Sequence, residues 1–169
     1  FFKLDISQQF HKGANSIAVT IKHGGWAGHP KLMSAPQYLI GEFSLEKDGD
    51  VYKIAPPRLE IQTGSWTEQG YPFYSGTGIY SQTVVIPLIG SGCRVMLQVE
   101  DPADMFEVWI NGVQAGVRPW PPFLVDISKY IHPGENEVEI RVTNSLANML
   151  RREAKSSGLM GKVRILTAK

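Results

Sequence analysis

Cysteine is nearly absent from this 169-residue sequence; the only one is Cys93, so no disulfide can form within the chain. Charge of either sign is not in excess: 17 Lys and Arg face 16 Asp and Glu, a net charge of +1, and the two signs are interspersed. Without a basic stripe to neutralise a phosphate backbone, nucleic acid is not an expected partner. Long apolar runs are missing too; none approaches the roughly 20 residues of a membrane-spanning helix, so no membrane partner is expected. Signatures of nucleophilic chemistry are also absent. No Gly-x-Ser-x-Gly elbow occurs, and the glycines of Ser75-Gly-Thr-Gly78 lack the Lys and following helix of a phosphate loop. The opening Phe1-Phe2 has neither an initiator Met nor a leader. We therefore expect a segment of a longer polypeptide.

What is present describes an ordinary globular chain, 43% hydrophobic and 20% charged. Its length suffices for one full core, or for one core plus part of a neighbour. The 17 glycines and 11 prolines are scattered singly, which suggests many short strands joined by turns. Alternation supports this. In Asn136-Glu-Val-Glu-Ile-Arg-Val142, Val138, Ile140 and Val142 share one face while Glu137, Glu139 and Arg141 share the other. Arg94–Val99 repeats the pattern with Val95, Leu97 and Val99 inward, and an inward Cys93 is expected to be a small buried hydrophobe. Phe106–Gly116 contains Asn111-Gly112, the pair that a type I′ hairpin turn demands because both residues tolerate positive φ. Further strands are expected at Tyr38–Glu46, Val51–Ile54, Arg58–Gln62, Ile79–Pro87, Phe123–Ile127 and Lys162–Thr167, and a short helix at Leu146–Lys155. The fold class that follows is all-β, a sandwich or barrel of antiparallel strands rather than a parallel sheet.

An internal repeat bears on domain organisation. Asp5-Ile-Ser-Gln-Gln-Phe-His-Lys-Gly-Ala-Asn15 aligns with Asp126-Ile-Ser-Lys-Tyr-Ile-His-Pro-Gly-Glu-Asn136, and the strands that follow keep the same face apolar (Ile17, Val19 and Ile21 against Val138, Ile140 and Val142). One extra copy is too few for a solenoid. Tandem sandwiches are expected instead: residues 1–35 as the end of one plus a linker, the Gly- and Pro-rich His23–Pro36, and residues 36–169 as a whole one.

Candidates for chemistry are sparse. Glycoside hydrolysis needs two carboxylates across a sugar from each other, yet Glu42, Glu46, Asp48, Asp50, Glu100, Asp101 and Asp104 fall mostly in turns or on outward faces. No cofactor is expected, although the cluster Glu100, Asp101 and Asp104 has the oxygen ligands to hold calcium, and a turn explains it equally well. Of the histidines, His11 and His132 occupy equivalent turn positions of the repeat, and His23 and His29 flank a Gly-rich loop that is a weak zinc signal. Aromatic residues remain. Trp66, Tyr71, Phe73 and Tyr74 crowd one loop, and Trp120 sits in the rigid Arg118-Pro-Trp-Pro-Pro-Phe123. Trp66, Tyr71, Tyr74 and Trp120 are candidates to stack on a pyranose, with Glu68, Gln69 or Asn148 as hydrogen-bonding neighbours. The competing reading is that these rings plug the sandwich ends or dock it on an adjacent domain. Trp109 should point outward, opposite Val108 and Ile110, as a domain interface would use it.

The stretches Tyr74–Pro87, Phe106–Gly112, Pro122–Ile127, Pro133-Gly-Glu-Asn136, Ile140–Asn144, Ser157–Gly161 and Val163-Arg-Ile165 resemble the sugar-binding-like sandwich of glycoside hydrolase family 2. Gly64–Tyr74, with Leu39–Phe43 before it, is closer to the terminal sandwiches of large bacterial proteins akin to α-L-rhamnosidases. The resemblance covers roughly residues 37–166 and implies an antiparallel β-sandwich of the jelly-roll, galactose-binding-like kind, with two sheets packed face to face. It further implies a catalytic barrel elsewhere in the parent chain as the neighbouring partner, and a secreted or periplasmic location. No catalytic residue carries over. The chain is thus expected to be a non-catalytic accessory domain, structural or weakly carbohydrate-binding. A dedicated carbohydrate-binding module is the alternative, and a free-standing hydrolase a remoter one.

Overall fold

The computed structural model describes residues 3–20, 37–90 and 92–168. The chain divides into two compact units, Phe1–Ile40 and Gly41–Lys169.

In the second unit strands dominate. In chain order they are β1 (Ser44–Asp48), β2 (Val51–Ala55), β3 (Thr77–Ile86), β4 (Arg94–Val99), β5 (Pro102–Ala103), β6 (Met105–Ile110), β7 (Val113–Arg118), β8 (Leu124–Asp126), β9 (Gly134–Thr143), β10 (Gly158–Leu159) and β11 (Val163–Ala168). They form a four-stranded sheet in the order β3-β9-β6-β7 and a three-stranded sheet in the order β11-β4-β8, with two-stranded additions β1-β2 and β10-β5. Every pairing is antiparallel. Inward rows at every second position make the two layers: Val95, Leu97 and Val99 from β4 with Val125 from β8 on one side, Phe106, Val108 and Ile110 from β6 with Val138, Ile140 and Val142 from β9 on the other. All belong to one buried cluster that also takes in Trp66, Ile127 and Leu159. At roughly 25 cal/mol per Å² of apolar surface removed from water, this interface is the main stabilising element of the unit.

The β6–β7 turn is as expected: Asn111 and Gly112 have φ of +50° and +77°, the signs a type I′ turn requires. Val108 pairs with Gly116 and Trp109 with Gln114, so Ala115 is the extra residue of a β-bulge. Just beyond the bulge the two layers come close, because a Cβ on Gly116 would lie 2.8 Å from Cγ1 of Val125. Three local expectations are corrected. The stretch Tyr38–Glu46 becomes strand only from Ser44, after bends at Gly41 and Glu42. Arg58–Gln62 is not a strand, since its backbone is served by side chains: Arg58 N donates to the Tyr71 hydroxyl (2.9 Å) and Gln62 N to Oε1 of Gln69 (2.7 Å). The helix is shorter than Leu146–Lys155, spanning α1 (Ala147–Arg151) and ended by Arg152 at φ +54°.

The described residues of the first unit hold one 3₁₀ turn, Ser7–Gln9, followed by a bend at Lys12 and Gly13 and a run without regular secondary structure through residue 20. Ile17 and Val19 of that run are 55% and 58% exposed. Ile21, the segment His23–Pro36 and its His23 and His29 lie outside the described residues.

Candidate functional site

The aromatic loop is organised from its floor upward. Trp66 opens a 3₁₀ turn (Trp66–Gln69) that Ser65 caps through its side chain and Gly70 ends at φ +92°. The Trp66 ring is 1% exposed. Its Nε1 donates to the Tyr80 hydroxyl at 2.6 Å, and the same hydroxyl accepts from Leu159 N at 3.3 Å. Glycines make room for it: a Cβ on Gly78 would run into the indole, and one on Gly158 would lie 2.7 Å from both Nε1 and the Gly64 carbonyl oxygen. Trp66 N and Gly64 N donate to the carbonyls of Ser157 and Leu159, which ties this loop to the β10 segment.

Tyr74 stands edge-on to Trp66 (centroids 5.5 Å apart) and Tyr71 edge-on to Tyr74 (6.2 Å). Three of the four candidate sugar-stacking residues therefore come together, but Trp66 offers no ring face to solvent. This corrects its place as a stacking platform. Both tyrosine hydroxyls are occupied in holding the loop: Tyr71 bonds the backbone of Arg58, and Tyr74 donates to the Thr77 carbonyl. Phe73 turns away and packs edge-on against Tyr52 of β2. Of the hydrogen-bonding neighbours, Gln69 is committed to Gln62 and Ser65. Asn148 is buried and donates to Pro72, Lys155 and Ser157, whereas Glu68 is exposed. Asn144 and Ser157 complete the network beneath the loop. Asn144 accepts from Gly76 N and donates to Tyr74 O and Ser157 Oγ. No sequence spacing announces it, because Asn144 follows β9 while Asn148 lies on α1.

Trp120 does not join the cluster. It is 71% exposed on the β7–β8 connection. Arg118 clamps the base of that loop, its guanidinium donating to the carbonyls of Leu124 and Val117 at 2.8 Å each. On the outer face of the four-stranded sheet Trp109 is half-buried, as an outward residue under cover. The Arg141 guanidinium lies 4.1 Å from its ring centroid, and its Nε1 donates to Glu107 at 3.0 Å. A shallow cavity of about 110 Å³ is lined by Trp109, Gly112, Glu137, Glu139 and Arg141.

The acids serve the framework. Glu100 pairs with Arg164 and accepts from Lys162 N, and Asp104 accepts from Ser145 N at 2.7 Å. No grouping of three or more acids, histidines or cysteines suited to a metal occurs among the described residues. Cys93 is half-buried rather than buried, because it precedes β4 and lines an open cavity of about 210 Å³. Among the described residues no aspartate or glutamate is buried. Every buried side-chain nitrogen or oxygen among them has a hydrogen-bond partner.

No family model matches the chain. A protein of Formosa agariphila, provisionally named a β-glucuronidase, is 30% identical over 125 residues, which is 71% of this chain and 11% of that one. A β-glucuronidase of Paenibacillus borealis is 39% identical over 70 residues, 40% of this chain and 12% of its own length. Among solved structures, a rhamnosidase from Novosphingobium sp. PP1Y covers 84% of the chain with a TM-score of 0.54 at 23% identity, the match spanning 16% of that enzyme. A glycoside hydrolase family 2 member from Bacteroides cellulosilyticus covers 78% with a TM-score of 0.52 at 17% identity, the match spanning 19% of it. The fold is a β-sandwich shared with a part of each of these two structures. The chain spans about a tenth of the length of these curated relatives, so the sandwich corresponds to a small part of each. In it, Trp66 belongs to the buried core, Tyr71 is half-buried, and Tyr74 and Trp120, 42% and 71% exposed, are the candidate rings open to solvent.

Proposed function

We propose that the chain is a non-catalytic accessory part of a larger glycoside hydrolase, with a structural role beside a catalytic domain of the same polypeptide. The observation that carries this reading is the neutrality and completeness of the buried polar set. Ser44, Ser65, Asn136, Asn144, Asn148 and Ser157 are buried, no carboxylate joins them, and none lacks a partner. Acid–base chemistry on a glycoside needs paired carboxylates with environments that separate their roles. Among the described residues no aspartate or glutamate has the enclosed environment that separates two such roles. The small share of the relatives' length that the chain matches supports a parent of several domains. On the resemblance alone we extend to that parent a secreted or periplasmic location, which fractionation of producing cells tests.

The deciding experiment compares the isolated chain with the full-length gene product on aryl glycosides, aryl glucuronides and rhamnosides included. Turnover by the full-length protein alone is expected. Turnover by the isolated chain, abolished by replacing one of its own acids, overturns the proposal.

A second reading, a dedicated carbohydrate-binding module, is favoured by Trp120, whose ring is presented on a loop stiffened by Pro119, Pro121 and Pro122. Saturable glycan binding by the isolated chain, lost on Trp120→Ala with the melting curve unchanged, would establish it. An unbound glycan panel sinks it.

A further inference from the structure

We infer that residues 3–20 are the closing arc of a second sandwich of the same architecture, and that their apolar row is an interface built to be covered by that sandwich's own strands. The inference goes beyond the accessory reading and does not depend on whether the parent hydrolyses glycosides.

The two copies of the repeat share more than sequence. In the second unit His132 N donates to Oδ1 of Asn136 (3.0 Å), Nδ2 of Asn136 donates to the carbonyls of His132 (2.7 Å) and Gly134 (3.0 Å), and the His132 ring contacts the Pro133 carbonyl (3.0 Å). In the first unit the corresponding bonds recur. His11 N donates to Oδ1 of Asn15 (3.1 Å), Nδ2 of Asn15 donates to the carbonyls of His11 (2.8 Å) and Gly13 (3.0 Å), and the His11 ring contacts the Lys12 carbonyl (3.1 Å). Ser7 bonds Asp5 through N and Oγ as Ser128 bonds Asp126. Gly13 and Gly134 have φ of +105° and +100°. The arc is thus fully formed in both places.

What differs is what lies over it. Val125, Ile127, Val138 and Ile140 of the second copy are 1%, 0%, 6% and 4% exposed, because β8 lies on β4 and β9 runs between β3 and β6. Of their equivalents, Leu4, Ile17 and Val19 are 67%, 55% and 58% exposed, and Ile6 is half-buried. Asn136 also receives Asn111 from the β6–β7 hairpin, and Ser128 receives Val95 N from β4. Within the first unit no described residue plays either part for Asn15 or Ser7. The missing neighbours are therefore specified: a strand like β4 beside residues 4–6, and strands like β3 and β6 on the two sides of residues 15–20. A second copy of this chain does not supply them, since its own β4, β3 and β6 already hold β8 and β9.

Amide hydrogen exchange tests this on the chain of residues 1–169 and on the full-length gene product. The amides of residues 16–20 are expected to exchange freely in the former and roughly 100-fold or more slower in the latter, as for paired core strands. Val19→Asp in the full-length product should erase that slowing. Equally fast exchange in both proteins overturns the inference, as does slowing in the shorter chain that grows with its concentration, which would make the cover a second copy.

Discussion

Nδ2 of Asn111 donates to Oδ1 of Asn136 at 2.9 Å and so fastens the tip of the β6–β7 hairpin to the arc that leads into β9. Asn111 also donates to the Tyr130 carbonyl and accepts from Glu137 N, each at 3.0 Å. One asparagine is chosen twice over, for its positive φ and for its side chain. Asn136 is 1% exposed and holds His132 and Gly134 as well.

Asn136→Ala should therefore strand several backbone groups, and a loss of about 2 to 3 kcal/mol is expected. Urea unfolding of the variant measures it. A loss below about 0.5 kcal/mol would mean that water replaces the asparagine without cost.

Gly112 and Gly158 separate two reasons for glycine. Around Gly112 a Cβ meets nothing, so Gly112→Val is opposed only by its φ of +77°, at about 1 to 2 kcal/mol. Gly158 combines φ +117° with the Gly64 carbonyl and the Trp66 ring in the way of a side chain. Gly158→Ala should be the more damaging of the two by thermal melting; the reverse order would contradict the packing around Trp66.

The two exposed-looking tryptophans of the sequence part company in the same kind of measurement. Trp66→Ala empties the end of the core and should cost about 3 to 5 kcal/mol. Trp120→Ala removes a ring that is 71% exposed and should stay within about 0.5 kcal/mol. A Trp66→Ala protein as stable as the parent chain would show that the indole is not structural.

Acid should weaken the second unit through Asp126. The Ser128 hydroxyl, and then the Ser128 N–H, hold this carboxyl below its ordinary value of 3.8. A carboxyl depressed in the folded state contributes stability that is complete above its unfolded pKa and lost as pH falls through the lower folded one. The loss belongs below pH 3.8. Ser128→Ala should flatten that part of the stability curve while leaving neutral pH dependence unaltered. An identical acid limb in both proteins would remove Asp126 from the account.

Much of the architecture was legible because alternation reports burial directly: the rows Val95, Leu97, Val99 and Val138, Ile140, Val142 need one inward face each, whatever surrounds them. The Asn111-Gly112 turn was legible for a local reason, the φ its strands impose. Arg58–Gln62 misled because strand-like composition does not reveal that Tyr71 and Gln69 will take the bonds a ladder would otherwise make. Trp66 misled for a similar reason. A tryptophan among tyrosines and glycines has the composition of a sugar platform, and only the approach of Gly158, far along the chain, shows that the glycines exist to admit the ring. Tyr71 and Tyr74 were rightly grouped with it, whereas the bonds that occupy their hydroxyls depend on tertiary neighbours that composition does not show.

Ser157 N reaches Ser65 Oγ across 92 positions of sequence, and this separation has a consequence for biosynthesis. As the polypeptide leaves the ribosome, Trp66 emerges long before the residues that roof it, and β4 waits for β11 as its outer neighbour. Topologies dominated by such distant pairings fold slowly. A nascent chain stalled before Gly158 would therefore display a wet indole and an open edge on β4, which is the moment at which chaperone capture or aggregation would compete with completion of the body.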